Sequence, residues 1–183
     1  MVKRTKKVVR RSVKSVAIKN NLVVHACANK PYQIFCELFD AEINGFSTDR
    51  TLLLEVVEID KHYYFFEDFR EVGLLLNGTE MSIRRVDFSN AEIERRAWSC
   101  LMSEFIKLDP INPKIFEAIK SSMPAQVQQA LFNKSLTIER ILEIKGLKRH
   151  HYDYQASLYR NQQPNKIPSF SELIAEVRHV DSR

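Results

Sequence analysis

The sequence has no run of about 18 apolar residues, the length a hydrophobic helix needs to cross a bilayer. Its first residues are basic and lack the continuous apolar stretch of a secretory signal. Cysteine is scarce: Cys27, Cys36 and Cys100 are too few and too scattered for a disulfide framework, so a reducing, cytoplasmic location is expected. They read as small buried hydrophobes. No Cys-x-x-Cys pair or second cluster accompanies His150-His151-Tyr152-Asp153, so that run reads as a polar helix end and no metal is expected. Internal repeats and low-complexity tracts are also missing. What remains is an ordinary globular composition, 44% hydrophobic and 28% charged over 183 residues. That is enough for one domain with a sizeable core and an appendage.

Acid is absent from the head of the chain. Residues 1–36 hold nine of the 28 basic residues and none of the 23 acidic ones. Seven of the nine (Lys3, Arg4, Lys6, Lys7, Arg10, Arg11 and Lys14) fall within the first fourteen positions. The net charge of +5 therefore divides into a strongly basic head and a body of net charge −4. Such asymmetry suits a polyanion, with DNA the expected partner and a membrane surface or simple solubility the alternatives. Residues 1–20 read as a flexible basic arm, because the first fifteen show no apolar periodicity.

A mixed α/β block is expected over residues 21–108. Leu22-Val23-Val24 reads as a short strand, and Pro31 as a break. Tyr32 to Ile43 is open between helix and strand, and turn residues follow at Asn44-Gly45 and Ser47-Thr48-Asp49. Leu52–Ile59 and His62–Phe66 read as a hairpin around Asp60-Lys61. A short helix over Asp68–Leu76 ends near Asn77-Gly78, and Glu80–Phe88 is strand-like. Ser89 and Glu92 have capping-box spacing, ahead of a stripe at Ile93, Ala97, Leu101, Phe105 and Leu108. Trp98 lies beside that stripe and is expected in a core or an interface. Arg84-Arg85 and Arg95-Arg96 read as surface pairs with Asp87, Glu92 and Glu94.

Residues 109–183 read as helical. Pro113 stands where a first helical residue loses nothing by lacking an amide. Pro124 opens a helix containing Val127, Ala130 and Leu131. Thr137 caps another, with Ile138, Ile141 and Leu142 inside and Gly146 past its end. Asn161–Pro168 reads as a linker, and Ser169 and Glu172 as a second capping box before Leu173, Ile174 and Val177. The fold class expected is α+β: a small mixed sheet with helices, then a helical region that binds DNA or dimerises.

Residues 52–113 resemble the N-terminal domain of the ParB family, which shares its fold with sulfiredoxin. The resemblance rests on the order of Glu55-Val56-Val57-Glu58-Ile59, Tyr63-Tyr64-Phe65-Phe66, Glu67-Asp68-Phe69-Arg70, Leu76-Asn77-Gly78, Ile83-Arg84-Arg85-Val86 and Asp87-Phe88-Ser89. Met123-Pro124-Ala125-Gln126-Val127 through Leu131 is similar to the helix that follows the ParB helix-turn-helix. The span between the two blocks is too short for a full ParB helix-turn-helix. The resemblance implies DNA binding in plasmid or mobile-element partition or in transcription control, with nucleoid association. It also implies a nucleotide site, at Asp68 and Arg70 in the turn and Glu104 and Lys107 on the next helix. Glu67 stands in place of the family glycine and Phe69 in place of its first arginine, so the CTP motif is incomplete and no cofactor is expected. Sulfiredoxin chemistry would need a cysteine in this turn, where Asp68 stands.

Basic and aromatic residues also interleave at Lys145, Lys148, Arg149 and Tyr152, a composition suited to phosphate contact and stacking. Thr137–Tyr152 reads as helix, glycine turn, helix, whose second helix could enter a major groove. Two further readings stay open. One is a nucleotide hydrolase or metal-dependent nuclease using Arg70 with Asp68 or Glu67. The other is a non-enzymatic interaction protein with a basic arm, with a second copy of the chain as a candidate partner.

Overall fold

Two consecutive residues of left-handed backbone, Asp60 (φ 50°) and Lys61 (φ 66°), close a two-residue hairpin between β3 (Leu53–Ile59) and β4 (His62–Phe65). Such turns match the twist of the strands they join. A computed structural model describes residues 13–16, 22–39, 53–75 and 81–162 of the chain. It is α+β. Five strands form one mixed sheet in the order β1-β5-β3-β4-β2, with β1 at Val13–Val16, β2 at Leu22–Val24 and β5 at Met81–Arg85. β3 is antiparallel to β4 and parallel to β5, while β1 runs antiparallel to β5 and β2 parallel to β4.

Strand β1 takes four residues expected in the flexible arm. Val13 and Val16 bracket Lys14-Ser15, and sheet pairing to Arg84 through Met81 supplies the backbone partners that the short sequence could not advertise. Pro31 does not break the chain. It lies in the first turn of helix α1 (Asn29–Phe39), where a missing amide costs no intrahelical bond, and the ambiguity over Tyr32–Ile43 resolves to helix as far as Phe39, with residues 40–43 outside the described residues.

Helix α2 spans Phe69–Leu75 and α3 spans Asn90–Lys107. Ser89 caps α3 by accepting from the Glu92 amide at 3.3 Å. The reciprocal half of the box is not made: the Glu92 carboxylate binds Arg95 through two hydrogen bonds instead. The stripe Ile93, Ala97, Leu101 and Phe105 is buried, and Trp98 is 1% exposed. Each large side chain so buried contributes about 1.5–3 kcal/mol of transfer free energy. The same core takes in Leu54, Val56 and Ile83 from the sheet and Ile34 and Phe35 from α1.

Four helices follow: α4 (Pro113–Ser122), α5 (Ala125–Phe132), α6 (Ile138–Lys145) and α7 (Arg149–Gln162). Asn112 accepts from the Lys114 amide and Pro113 begins α4 as read. Val127 is buried in α5 but Ala130 faces solvent. Thr137 caps α6, and Gly146 (φ 65°) ends it. Asn161 and Gln162, expected to open the linker Asn161–Pro168, instead end α7. The arm from Lys3 to Arg11, the turns at 44–49 and 77–78, the rest of that linker and the second capping box at Ser169 and Glu172 lie outside the described residues. Among the described residues no helix is long and apolar enough to cross a membrane.

Candidate functional site

Strand β4 ends at Phe65, and the chain turns through Phe66-Glu67-Asp68 into α2. Asp68 holds a left-handed backbone (φ 57°), and its carbonyl accepts from the Val72 amide at 2.9 Å. Helix α3 passes this turn and presents Arg95, Arg96, Ser99, Cys100, Ser103, Glu104 and Lys107 at helical spacing. The space between them is a mostly polar cleft of about 450 Å³.

An ion network walls the cleft. Arg96 donates to both oxygens of Glu67, at 2.6 and 2.9 Å, and reaches Glu55 at 2.7 Å. Arg84 on β5 also binds Glu55, which is 7% exposed. The Arg96 guanidinium lies 4.9 Å from the Phe88 ring centre and 5.4 Å from that of Phe66. Burial raises the Glu67 carboxyl above its usual range even though Arg96 opposes the shift. Asp68 is raised further, to about 6, first by burial and then by its neighbours Glu67 and Glu71. Cys100 does reach this turn, from α3, but burial pushes its thiol up to about 11 despite hydrogen bonds from the backbone of Phe69 and Asp68. A thiol so poised is a poor nucleophile at neutral pH.

Asp68, Arg70, Glu104 and Lys107 all meet at this cleft. Their charges cancel rather than converge on an anion. Arg70 Nε lies 3.0 Å from Glu104 Oε2, and Lys107 Nζ binds Glu104 Oε1. Glu104 is 9% exposed, so these cations serve to neutralise a buried carboxylate. Glu67, Asp68 and Glu71 add negative charge where a triphosphate would need positive charge. Among the described residues no three of His, Cys, Asp and Glu are grouped to hold a metal.

Asp68 supplies a pH-dependent prediction. Its folded pKa, about 6, exceeds the ordinary 3.8, so folding disfavours its ionised form. The resulting penalty is absent below pH 4, grows as pH rises from 4 to 6, and is complete above 6. Asp68→Asn removes the charge and keeps a residue tolerant of positive φ. After discounting for the solvent that reaches this turn, the substitution should stabilise the fold by about 1–2 kcal/mol at pH 7.5. The gain should vanish at pH 3.5. Urea titrations at both pH values measure it, and an equal gain at both would refute the electrostatic origin.

The other expected site lies at α6 and α7. The helix, glycine turn, helix arrangement is present, with α7 starting at Arg149. Lys145 points back into the body: its ammonium donates to the carbonyls of Ile106 and Leu108, both at 2.7 Å, and closes the end of α3. Tyr152 is 8% exposed and packs edge-on against Phe116 at 6.0 Å, so its ring belongs to the core and is not free to stack on a base. Arg149 binds Glu139 and Asp153. Lys148 is exposed at the start of the turn into α7. Lys14 lies on edge strand β1 opposite Ile83, whereas Lys3, Arg4, Lys6, Lys7, Arg10 and Arg11 fall outside the described residues.

Arg96 and Glu55 were not singled out as partners from the sequence. Arg95 pairs with Glu92 as read, but Arg84 and Arg96 pair with Glu55, and Arg85 with Glu58. The available signal was Glu55 itself, a carboxylate flanked by Leu54 and Val56 in an apolar strand. No protein-family model, no curated protein and no solved structure matches the chain.

Proposed function

We propose that this chain is a non-enzymatic, ParB-like DNA-binding protein that grips duplex phosphates chiefly through its basic N-terminal segment. Its role would lie in partition of a plasmid or mobile element, or in transcription control. One observation carries the reading: among the described residues the folded body pairs all of its arginines but Arg160 with its own carboxylates. Arg70, Arg84, Arg85, Arg95, Arg96, Arg140 and Arg149 are each ion-paired with a carboxylate. Exposed lysines such as Lys61, Lys114, Lys120 and Lys134 are scattered over a body of net charge −4, whereas residues 1–36 hold nine basic residues and no acidic one. A polyanion would find its electrostatic partner there, with exposed Lys148 as a secondary contact. The meeting of Asp68, Arg70, Glu104 and Lys107 favours a nucleotide enzyme as the second reading, but the pairing of Arg70 and Lys107 with Glu104 weighs against it.

The test keeps β1 intact. Lys3, Arg4, Lys6, Lys7, Arg10 and Arg11 are changed together to Gln, and binding to duplex DNA is followed by fluorescence anisotropy across a salt series. Six lost phosphate contacts should lower the slope of log K against log salt by about 5 and weaken binding about 100-fold or more near 0.1 M salt. Unchanged affinity would remove the segment from the DNA interface. Equal affinity for DNA, heparin and acidic vesicles would point to a general polyanion binder. Magnesium-dependent nucleotide turnover lost on Arg70→Ala would replace the proposal with the enzyme reading.

A further inference from the structure

The cleft between the Glu67-Asp68 turn and α3 keeps unmatched hydrogen-bond acceptors once its internal pairs are counted. Glu67 engages both of its oxygens with Arg96, and Lys107 takes Glu104 Oε1. Arg95 is held by Glu92, outside the cleft. Asp68 and Glu71 are left over: among the described residues neither carboxylate has a hydrogen-bond donor or an ion-paired cation. Glu104 points the same way. It is 9% exposed and lines the same cleft, and its buried Oε2 accepts no hydrogen bond. Arg70 Nε lies 3.0 Å from that oxygen but donates to nothing. Buried polar atoms are rarely left without a hydrogen bond in a folded protein, so an orphan lining a cleft calls for a partner from outside.

The structure assigns this cleft to a guanidinium group, held by Asp68 and Glu71 with Glu104 behind them. A metal ion fits less well. Among the described residues no three of His, Cys, Asp and Glu are grouped to hold one, and the cleft of about 450 Å³ has the size of a small-molecule site. An anion would meet two unpaired carboxylates. A guanidinium is weakly hydrated and presents its donors in a planar fork, so one group can serve several carboxylates in a partly dry site. The chain uses that solution internally, where the Arg96 guanidinium binds Glu67 and Glu55 at once. A bound cation would also offset the cost of ionising Asp68, which lies beside Glu67, Glu71 and Glu55 with Arg96 as the opposing charge. The guanidinium belongs either to a free small molecule or to an arginine of a partner chain. This inference does not rest on the DNA reading.

An NMR titration of the full-length protein with methylguanidinium chloride tests it, with sodium chloride at equal ionic strength as the control. Amides of residues 67–71 and 99–107 should shift saturably, with half-saturation at about 1–10 mM. Asp68→Asn and Glu71→Gln should each weaken binding about tenfold or more, because each removes a charged hydrogen-bond acceptor. Asp68→Asn is expected to stabilise the fold, so binding lost there is not unfolding. Affinity should fall about tenfold from pH 7 to pH 5 as Asp68, with a pKa of about 6, takes up a proton, while the Cys100 thiol, pushed up to about 11, stays neutral. A capped Gly-Arg-Gly peptide separates the two sources. Binding at least tenfold tighter than methylguanidinium assigns the cleft to an arginine of a partner chain, and equal or weaker binding to a free guanidinium compound. Shifts that sodium chloride reproduces, or that never saturate, would overturn the inference. So would saturable binding that neither substitution weakens.

Discussion

Arg96→Ala should cost about 3–4 kcal/mol of stability and lower the melting temperature by about 10 °C. The loss follows from what Arg96 leaves behind. Glu67 loses both of its hydrogen bonds to the guanidinium, and the nearly buried Glu55 keeps only Arg84. Two carboxylates then share a poorly solvated space beside Asp68, with the Phe66 and Phe88 rings deprived of the cation between them. Arg96→Lys should recover less than half, because an ammonium cannot serve Glu67 in a bidentate fashion and Glu55 at once. Acid should relieve the Arg96→Ala variant. Burial already raises the Glu67 carboxyl against the opposition of Arg96, so without Arg96 the deficit relative to the parent should shrink as pH falls from 7 to 4. A deficit that stays constant over that range would mean that lost packing, not uncompensated charge, sets the cost. A double-mutant cycle with Glu67→Gln should show a coupling of about 1–3 kcal/mol.

This network also explains where the sequence was legible and where it was not. Thr137, Gly146, Asn112 and Pro113 declare their helix ends because each cap is made within three residues of its own position. The α3 stripe is equally local, since helical period alone brings Ile93, Ala97, Leu101 and Phe105 to one side. Arg96 meets Glu67 across 29 residues, and nothing near Arg96 distinguishes it from Arg95, which pairs within its own helix. Glu92 shows the same limit at short range: the capping-box pattern was present, yet Arg95 three residues on took the carboxylate. Strand β1 was hidden for a related reason. Four residues in a basic run become a strand only when β5 offers them a backbone to pair with.

The candidate sites divide the same way. The turn at Glu67-Asp68 and residues Glu104 and Lys107 of α3 line one cleft, but the signs of the charges around them could be added up only in three dimensions. Glu104 on α3 is the deciding residue, because it takes both Arg70 and Lys107. The ion pairs that line the cleft govern what it can hold.

Tyr152→Ala should cost about 3 kcal/mol, whereas Tyr152→Phe should change stability by less than about 1 kcal/mol. In sequence the residue sits among Lys148, Arg149 and His151 and looks like a stacking platform. In the fold it faces inward, edge-on to Phe116, which itself stacks on Phe105. This aromatic chain ties α7 through α4 to α3, and removing its outer member leaves a void where α7 meets the body. The two substitutions separate a structural role from a direct one. If α7 contributes to DNA binding, Tyr152→Ala should weaken that binding through loss of α7 placement, and Tyr152→Phe should bind as the parent does. Denaturant titration and anisotropy on the same samples give both quantities. A tenfold loss of DNA affinity in Tyr152→Phe, with stability unchanged, would restore the hydroxyl as a direct contact and require α7 to open its inner side when DNA binds.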